Sequence, residues 1–245
     1  MDEPITVAAC QMCSTLDVDA NVATAERLIR SAAEQGATLI ALPELFNCLG
    51  PLPELIQHAE PLPGPTSDRL SALAGELKVT LCAGSICEKS FEPQRGYNTS
   101  LVFGPEGELL AQYRKMHLFD VQIPGGPSIT ESDFMLPGEK IVVTNLPAAT
   151  LGHATCYDLR FPELFRTLAR ADAEILVVPA AFTKITGRDH WEVLLRARAI
   201  ENQAFVLAAN QFGQHGAGLQ SWGHSLIIDP WGEILAEGSG DCEQV

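Results

Sequence analysis

"SLVFGPEGELLAQ" at residues 100–112 returns as "SLIIDPWGEILAE" at residues 225–237, with seven of the 13 aligned positions identical. Each copy reads as two strand-like runs around a Pro-x-Gly turn, the pattern of a β-hairpin. A looser pair runs in the same order. "TLIALPELF" (38–46) and "EILVVPAAF" (174–182) are each an apolar strand ending in a Pro-x-x-Phe corner. Two matches in one order predict two related halves, each with a strand, a corner and a hairpin.

The flanking residues fill in both halves. "ITVAAC" (5–10) reads as a buried strand. Residues 17–35 place Val18, Val22, Ala25, Ile29 and Ala32 on one helical face, with Gly36 as the stop. "TLIAL" (38–42) is a continuous apolar strand, the kind covered on both faces. A Pro-rich loop then leads to a helix near 66–77 and a strand at "VTLCAGS" (79–85). Strands, hairpins and amphipathic helices together predict an α/β fold: two mixed sheets packed face to face with helices outside. No linker divides the chain, so residues 1–245 read as one domain.

Composition narrows the function. The chain is 46% hydrophobic and 19% charged, enough for a sizeable core and too apolar for disorder. A formal net charge of −15 argues against nucleic acid and anionic membrane surfaces, which need clustered Lys and Arg. No run of about 18 apolar residues predicts a spanning helix. "MDEPITVAAC" begins acidic without a basic n-region, so no signal peptide is expected. Seven cysteines, an odd and scattered number, point to a reducing, cytoplasmic setting. Cys10-x-x-Cys13 lacks a second Cys pair or a spaced His pair, so structural thiols and no metal are expected there.

The repeat also isolates what is not repeated. Where the first corner has Glu44, the second has Ala180. A carboxylate just beyond an apolar strand is costly unless it has partners, which makes Glu44 a functional candidate. Two more reactive groups follow apolar strands: Lys115 in "YRKMHLFD" and Cys156 in "ATCYDLRFPE". Cys156 sits at a strand–turn–helix junction like a nucleophile elbow, with Pro162 in the helix's first turn and Leu164, Leu168 and Ala171 as its apolar face. Such a set suits acyl transfer. Glu44 would take the thiol proton, and Lys115 with the Tyr157 N–H would face an oxyanion. The alternative is that Cys156 is a small buried residue and Lys115 a surface charge.

These three segments resemble the signatures of the nitrilase superfamily, the carbon–nitrogen hydrolases, in the order Glu, Lys, Cys and over nearly the whole chain. The resemblance implies a four-layer α-β-β-α sandwich, a cofactor-free amidase mechanism and homo-oligomers. It carries the nucleophile to Cys156, the base to Glu44 and the oxyanion lysine to Lys115, with Glu131 of "TESDFMLPG" as a second acid beside the lysine. "CYDLRFPE", "KMHLFD" and "TGRDHWEVLLRARAIENQ" look most like the amidase branch acting on omega-amides and deaminated glutathione. The expected substrate is therefore a small carboxylate-bearing amide, cleaved through a thioester. A nitrile hydrolase, or a catalytically silent binding protein on the same fold, is the competing reading.

Four residues are candidates for substrate contact: Arg160, Phe182, Thr183 and Arg188. The arginines suit a carboxylate because each binds in a fork; Arg160 has Asp158 and Glu163 as rival internal partners. His153 and Thr155 depart from the small apolar residues usual in relatives, and His153 reads as a satisfied core histidine. The chain stops at "DCEQV", where relatives usually continue through another strand. Finally, Trp191, Leu194, Leu195, Arg198 and Glu201 mix apolar and charged groups on "HWEVLLRARAIENQ" (190–203). That mixture predicts a two-fold homodimer at least, or a higher homo-oligomer, with this helix facing its mate.

Overall fold

The computed structural model describes residues 5–122 and 128–245. Two six-stranded sheets carry the two halves. In the first, Val7–Ala9, Leu39–Ala41 and Thr80–Lys89 run parallel, and Gly96–Phe103 and Leu109–Arg114 add antiparallel. In the second, Thr150–His153, Ile175–Val177 and Phe205–Ala208 run parallel, and Leu226–Ile228 and Ile234–Glu237 add antiparallel. Met135–Leu136 extends the first sheet and Val143–Asn145 borders the second.

The repeated hairpins share register as well as sequence. Val102 pairs with Ala111 and Phe103 with Leu109, as Ile227 pairs with Ala236 and Ile228 with Ile234. The register shift falls at the same step in each.

Three apolar layers hold the sandwich. Leu39, Ala41 and Val102 meet Leu151, Val177 and Leu207 between the sheets. Helices Val18–Glu34 and Pro65–Leu77 cover the first sheet through Val22, Ile29, Leu70 and Leu73. Helices Pro162–Arg170 and Lys184–Asn202 cover the second through Leu164, Leu168, Trp191 and Leu195. Each fully buried Leu or Ile contributes about 1.5–3 kcal/mol relative to exposure. The result is the expected α-β-β-α arrangement. The first helix also begins and ends as expected: the Asp17 side chain accepts from Ala20 N–H, and Gly36 takes a positive φ after it.

Two expectations are corrected. Ala171 is exposed and caps its helix, and Phe165 completes the apolar face instead. The mixed helix is an outer cover that turns Trp191, Leu195 and Arg198 inward, leaves Leu194 half-buried and exposes Glu201. Trp191 and Leu195 are wholly buried in the chain's own core. Arg198 is also buried, because its guanidinium reaches the Leu159 carbonyl at 3.1 Å through Nε and 2.8 Å through Nη2. The apolar groups this helix exposes are Ile185, Val193 and Ile200.

Candidate active site

The site forms where the corners and elbows of both sheets meet. Cys156 follows the strand Thr150–His153 by three residues and opens a short 3-10 turn before Pro162 starts the next helix. Its φ is +48°, a left-handed value that non-glycine residues rarely adopt. Its N–H donates to Pro179 O at 2.9 Å, tying the elbow to the second corner. Leu45, directly after Glu44, has a φ of +50°, so the first corner is bent in the same strained way.

The buried Asp158 carboxylate fixes the elbow. It accepts from Thr155 N at 2.8 Å and Tyr113 Oη at 2.7 Å, and from both His117 N at 3.0 Å and Nδ1 at 2.7 Å. Tyr113 and His117 flank Lys115. One carboxylate thus locks the lysine segment to the cysteine segment.

Glu44, Lys115, Glu131 and Cys156 then line one cavity of about 110 Å³. All four are buried. Lys115 Nζ lies 3.0 Å from Glu44 Oε1, and 3.2 and 2.9 Å from the two oxygens of Glu131. Burial opposes the lysine's charge, but Glu131 and then Glu44 outweigh it and hold the ammonium well above its ordinary value. Glu131 also accepts from the Phe119 N–H. It is therefore a fully engaged buried carboxylate rather than a solvated loop group.

Glu44 has a partner on every side. Oε1 accepts from Asn98 Nδ2 at 2.7 Å as well as from Lys115, and Oε2 accepts from Ala181 N at 2.7 Å. Burial pushes the Cys156 thiol well up, the Glu44 charge adds to this, and Lys115 opposes it. A thiol raised in this way favours its protonated form, and the Glu44 carboxylate lies beside it. By contrast Cys10 and Cys82 are pushed up to about 12 by burial alone.

The remaining candidates divide. Tyr157, Phe182 and Thr183 line the cavity. Among the described residues no acceptor takes the Tyr157 N–H. Arg160 does not line the cavity itself but packs near two residues that do, its guanidinium 5.3 Å from the Phe182 ring and 5.6 Å from the Tyr157 ring. Neither expected internal partner holds it: Asp158 is engaged elsewhere, and Arg160 reaches His190 Nδ1 at 3.2 Å instead. Arg188 lies outside the cavity, in an adjoining outer recess, and is forked onto Asp189 at 2.8 and 3.1 Å. His153 is buried, bonded to Thr144 Oγ1 at 2.8 Å through Nε2, and lowered to about 4 by burial, as a core histidine.

Sequence reading missed Asn98, His215 and Ser221. His215 and Ser221 are joined at 2.9 Å in the cavity wall. Only the "YNTS" start of the first repeated hairpin could have pointed to Asn98. Among the described residues no three His, Cys, Asp or Glu gather as a metal site, and no helix is long and apolar enough to cross a membrane.

Comparison with known proteins shows the family. The carbon–nitrogen hydrolase family model matches residues 6–245. The chain is 44% identical over 244 residues to the deaminated glutathione amidase of Homo sapiens, covering 96% of this chain and 75% of that protein. It is 42% identical over 217 residues to the omega-amidase NIT2 of Homo sapiens, covering 89% and 78%. The crystal structure of the C. elegans NitFhit protein superposes with a TM-score of 0.89 at 38% identity, over 95% of this chain; the chain spans 57% of that longer protein.

Proposed function

This chain belongs to the carbon–nitrogen hydrolase family, and on that premise we propose that it is an amidase converting a small carboxylate-bearing amide to acid and ammonia through a Cys156 thioester. The observation that carries this reading is the convergence of Glu44, Lys115 and Cys156, all buried, on one cavity.

In the first step Glu44 accepts the Cys156 proton as sulfur adds to the amide carbon. The carbonyl oxygen becomes an oxyanion, stabilised by Lys115 Nζ and the free Tyr157 N–H. Glu131 keeps Lys115 charged and in place. Protonated Glu44 then gives its proton to the amide nitrogen, the C–N bond breaks, and ammonia leaves with the thioester formed. Water adds next, losing its proton to Glu44, and the tetrahedral adduct collapses to acid as the proton returns to sulfur. Glu44 suits both directions because three donors fix its position.

Substrate class rests on Arg160. With a chain charge of −15, an anionic substrate needs a local cation. Arg160 stands beside the two aromatic rings of the wall and has no carboxylate within ion-pair distance among the described residues. The amidase names of the relatives point to the same class. A panel of monoamides of dicarboxylic acids and deaminated glutathione, beside carboxylate-free amides and nitriles, assayed for ammonia, tests this. Preference for carboxylate-bearing amides supports it; equal rates on carboxylate-free amides, or preference for nitriles, refute it.

Two further elements belong to this reading. The chain forms a homodimer. Val193 and Ile200 share the outer face of their helix, and the adjacent Trp231 is 87% exposed, an apolar patch of the sort that interfaces cover. Sedimentation at micromolar concentration tests it, and a single species near 26.4 kDa refutes it. Its setting is cytoplasmic, supported by seven free cysteines.

A further inference from the structure

The two halves differ most where their side chains meet the cavity. Because the hairpins share register and bulge, Asn98 corresponds in the second half to Gly223, and Lys115 to Gly240. Those two glycines lie against each other; a Cβ on Gly223 would come within 2.9 Å of Gly240 Cα. In the first half the equivalent places are joined by Lys115 N donating to Asn98 O at 2.9 Å, and both carry long polar side chains. The strand pair thereby delivers two donors to one oxygen: Asn98 Nδ2 at 2.7 Å and Lys115 Nζ at 3.0 Å from Glu44 Oε1.

We propose that Asn98 is a positioning residue of the reaction, which keeps the Glu44 carboxylate turned toward Cys156 while Lys115 is drawn to the oxyanion. This inference rests on the reading of Glu44 as the base.

The physical case is a division of labour between the two donors. Lys115 is shared among Glu44, Glu131 and the developing oxyanion, so its hold on Glu44 weakens when the negative charge appears on the substrate. Asn98 has no competing acceptor. It is buried, its Oδ1 meets no protein donor among the described residues, and its side-chain hydrogen bond goes to Glu44. A neutral amide N–H facing a carboxylate makes a charge-assisted bond, roughly twice as strong as a neutral one. With Ala181 N on Oε2, it pins the carboxylate plane at both ends. Being neutral, it adds no second cation that would compete with Lys115 for the oxyanion.

The test is the pH profile of kcat/KM for ammonia release in Asn98→Leu, which keeps the volume and removes the donor, and in Asn98→Asp, which keeps the shape. Losing a donor to an ionised carboxylate favours its protonated form, and a neighbouring carboxylate does so further. Asn98→Leu should lose at least tenfold in kcat with KM changed less than threefold, and its acid limb should move to higher pH. Asn98→Asp should move that limb further the same way. A packing role alone would lower the melting temperature without moving the limb. If Asn98→Leu does not fold, the limb of Asn98→Asp decides. Folded variants with kcat within twofold of wild type and an unmoved limb overturn the proposal. Cys156→Ala separates the two ideas: if it is inactive while the Asn98 variants match wild type, this inference alone fails, and if it remains active, the reading of the site fails first.

Discussion

The two halves carry the same backbone with opposite chemistry. Cys10 N donates to Ala41 O at 2.9 Å in one, and Ala154 N to Val177 O at 3.1 Å in the other. That correspondence sets Met12 opposite Cys156 at the elbow, as the corners set Glu44 opposite Ala180. Met12 and Ala180 are wholly buried and chemically inert. At the corner and the elbow each half therefore contributes one reactive position and one filler, and the base and the thiol come from different halves. The contact between them is direct: Ala181 N of the second corner donates to Glu44 Oε2 of the first at 2.7 Å. The repeat builds the sandwich, and its departures build the site.

The comparison breaks most sharply if the first corner is made to copy the second. Glu44→Ala should lose at least about 10³-fold in kcat/KM, a barrier increase of about 4 kcal/mol, while Lys115 keeps Glu131 and the protein stays folded. An ammonia assay beside a circular dichroism spectrum checks it; a loss under tenfold would mean that the asymmetry is not functional. The converse change should damage the fold. Ala180 lies wholly inside, its N–H and C=O already engaged with Ala209 O and Gln211 N. Ala180→Glu buries a carboxylate with no donors prepared for it, and urea unfolding should show a loss of about 3 kcal/mol or more.

A third contrast sets His153 against Ala9, each the last residue of the first parallel strand in its sheet. Burial holds His153 at about 4, against 6.5 when unfolded. The unfolded chain therefore binds a proton between those values that the native chain refuses. Stability from this residue falls as pH drops from 6.5 to 4, by up to about 3 kcal/mol, and no further below. His153→Gln should flatten that part of the pH–stability curve; an unchanged slope would show that the histidine is not held neutral. The smallest effect concerns recognition. Arg160→Met should cost about tenfold in kcat/KM, about 1.4 kcal/mol, on carboxylate-bearing amides and little on matched neutral ones. Equal losses on both would assign Arg160 to packing against Phe182 and Tyr157.

Local pattern made much of this legible. Periodicity located the helix Val18–Glu34, and two copies of one hairpin phrase gave both sheets their antiparallel edge. Glu44 and Cys156 stood out because their surroundings were strand ends. What stayed hidden depends on distant partners. Arg198 looks like a surface charge until the Leu159 carbonyl, 39 residues earlier in sequence, is seen to receive it. Arg188 looked free because nothing in sequence shows whether Asp189, its neighbour, turns toward it. Beyond its place in "YNTS", Asn98 carries no signal, since its meaning comes from a carboxylate 54 residues away.

The central claim is that one thiol, presented by the second half, becomes acylated by the amide substrate after giving its proton to a base from the first. Rapid acid quenching of the enzyme during turnover of a carboxylate-bearing amide, followed by peptide mass mapping, observes that species directly. The account predicts an added acyl mass on the peptide containing Cys156 and on none of the other six cysteines. Steady ammonia release with Cys156 unmodified at every quench time, and with Cys156→Ala keeping more than about a tenth of the rate, a barrier change under about 1.4 kcal/mol, would contradict it.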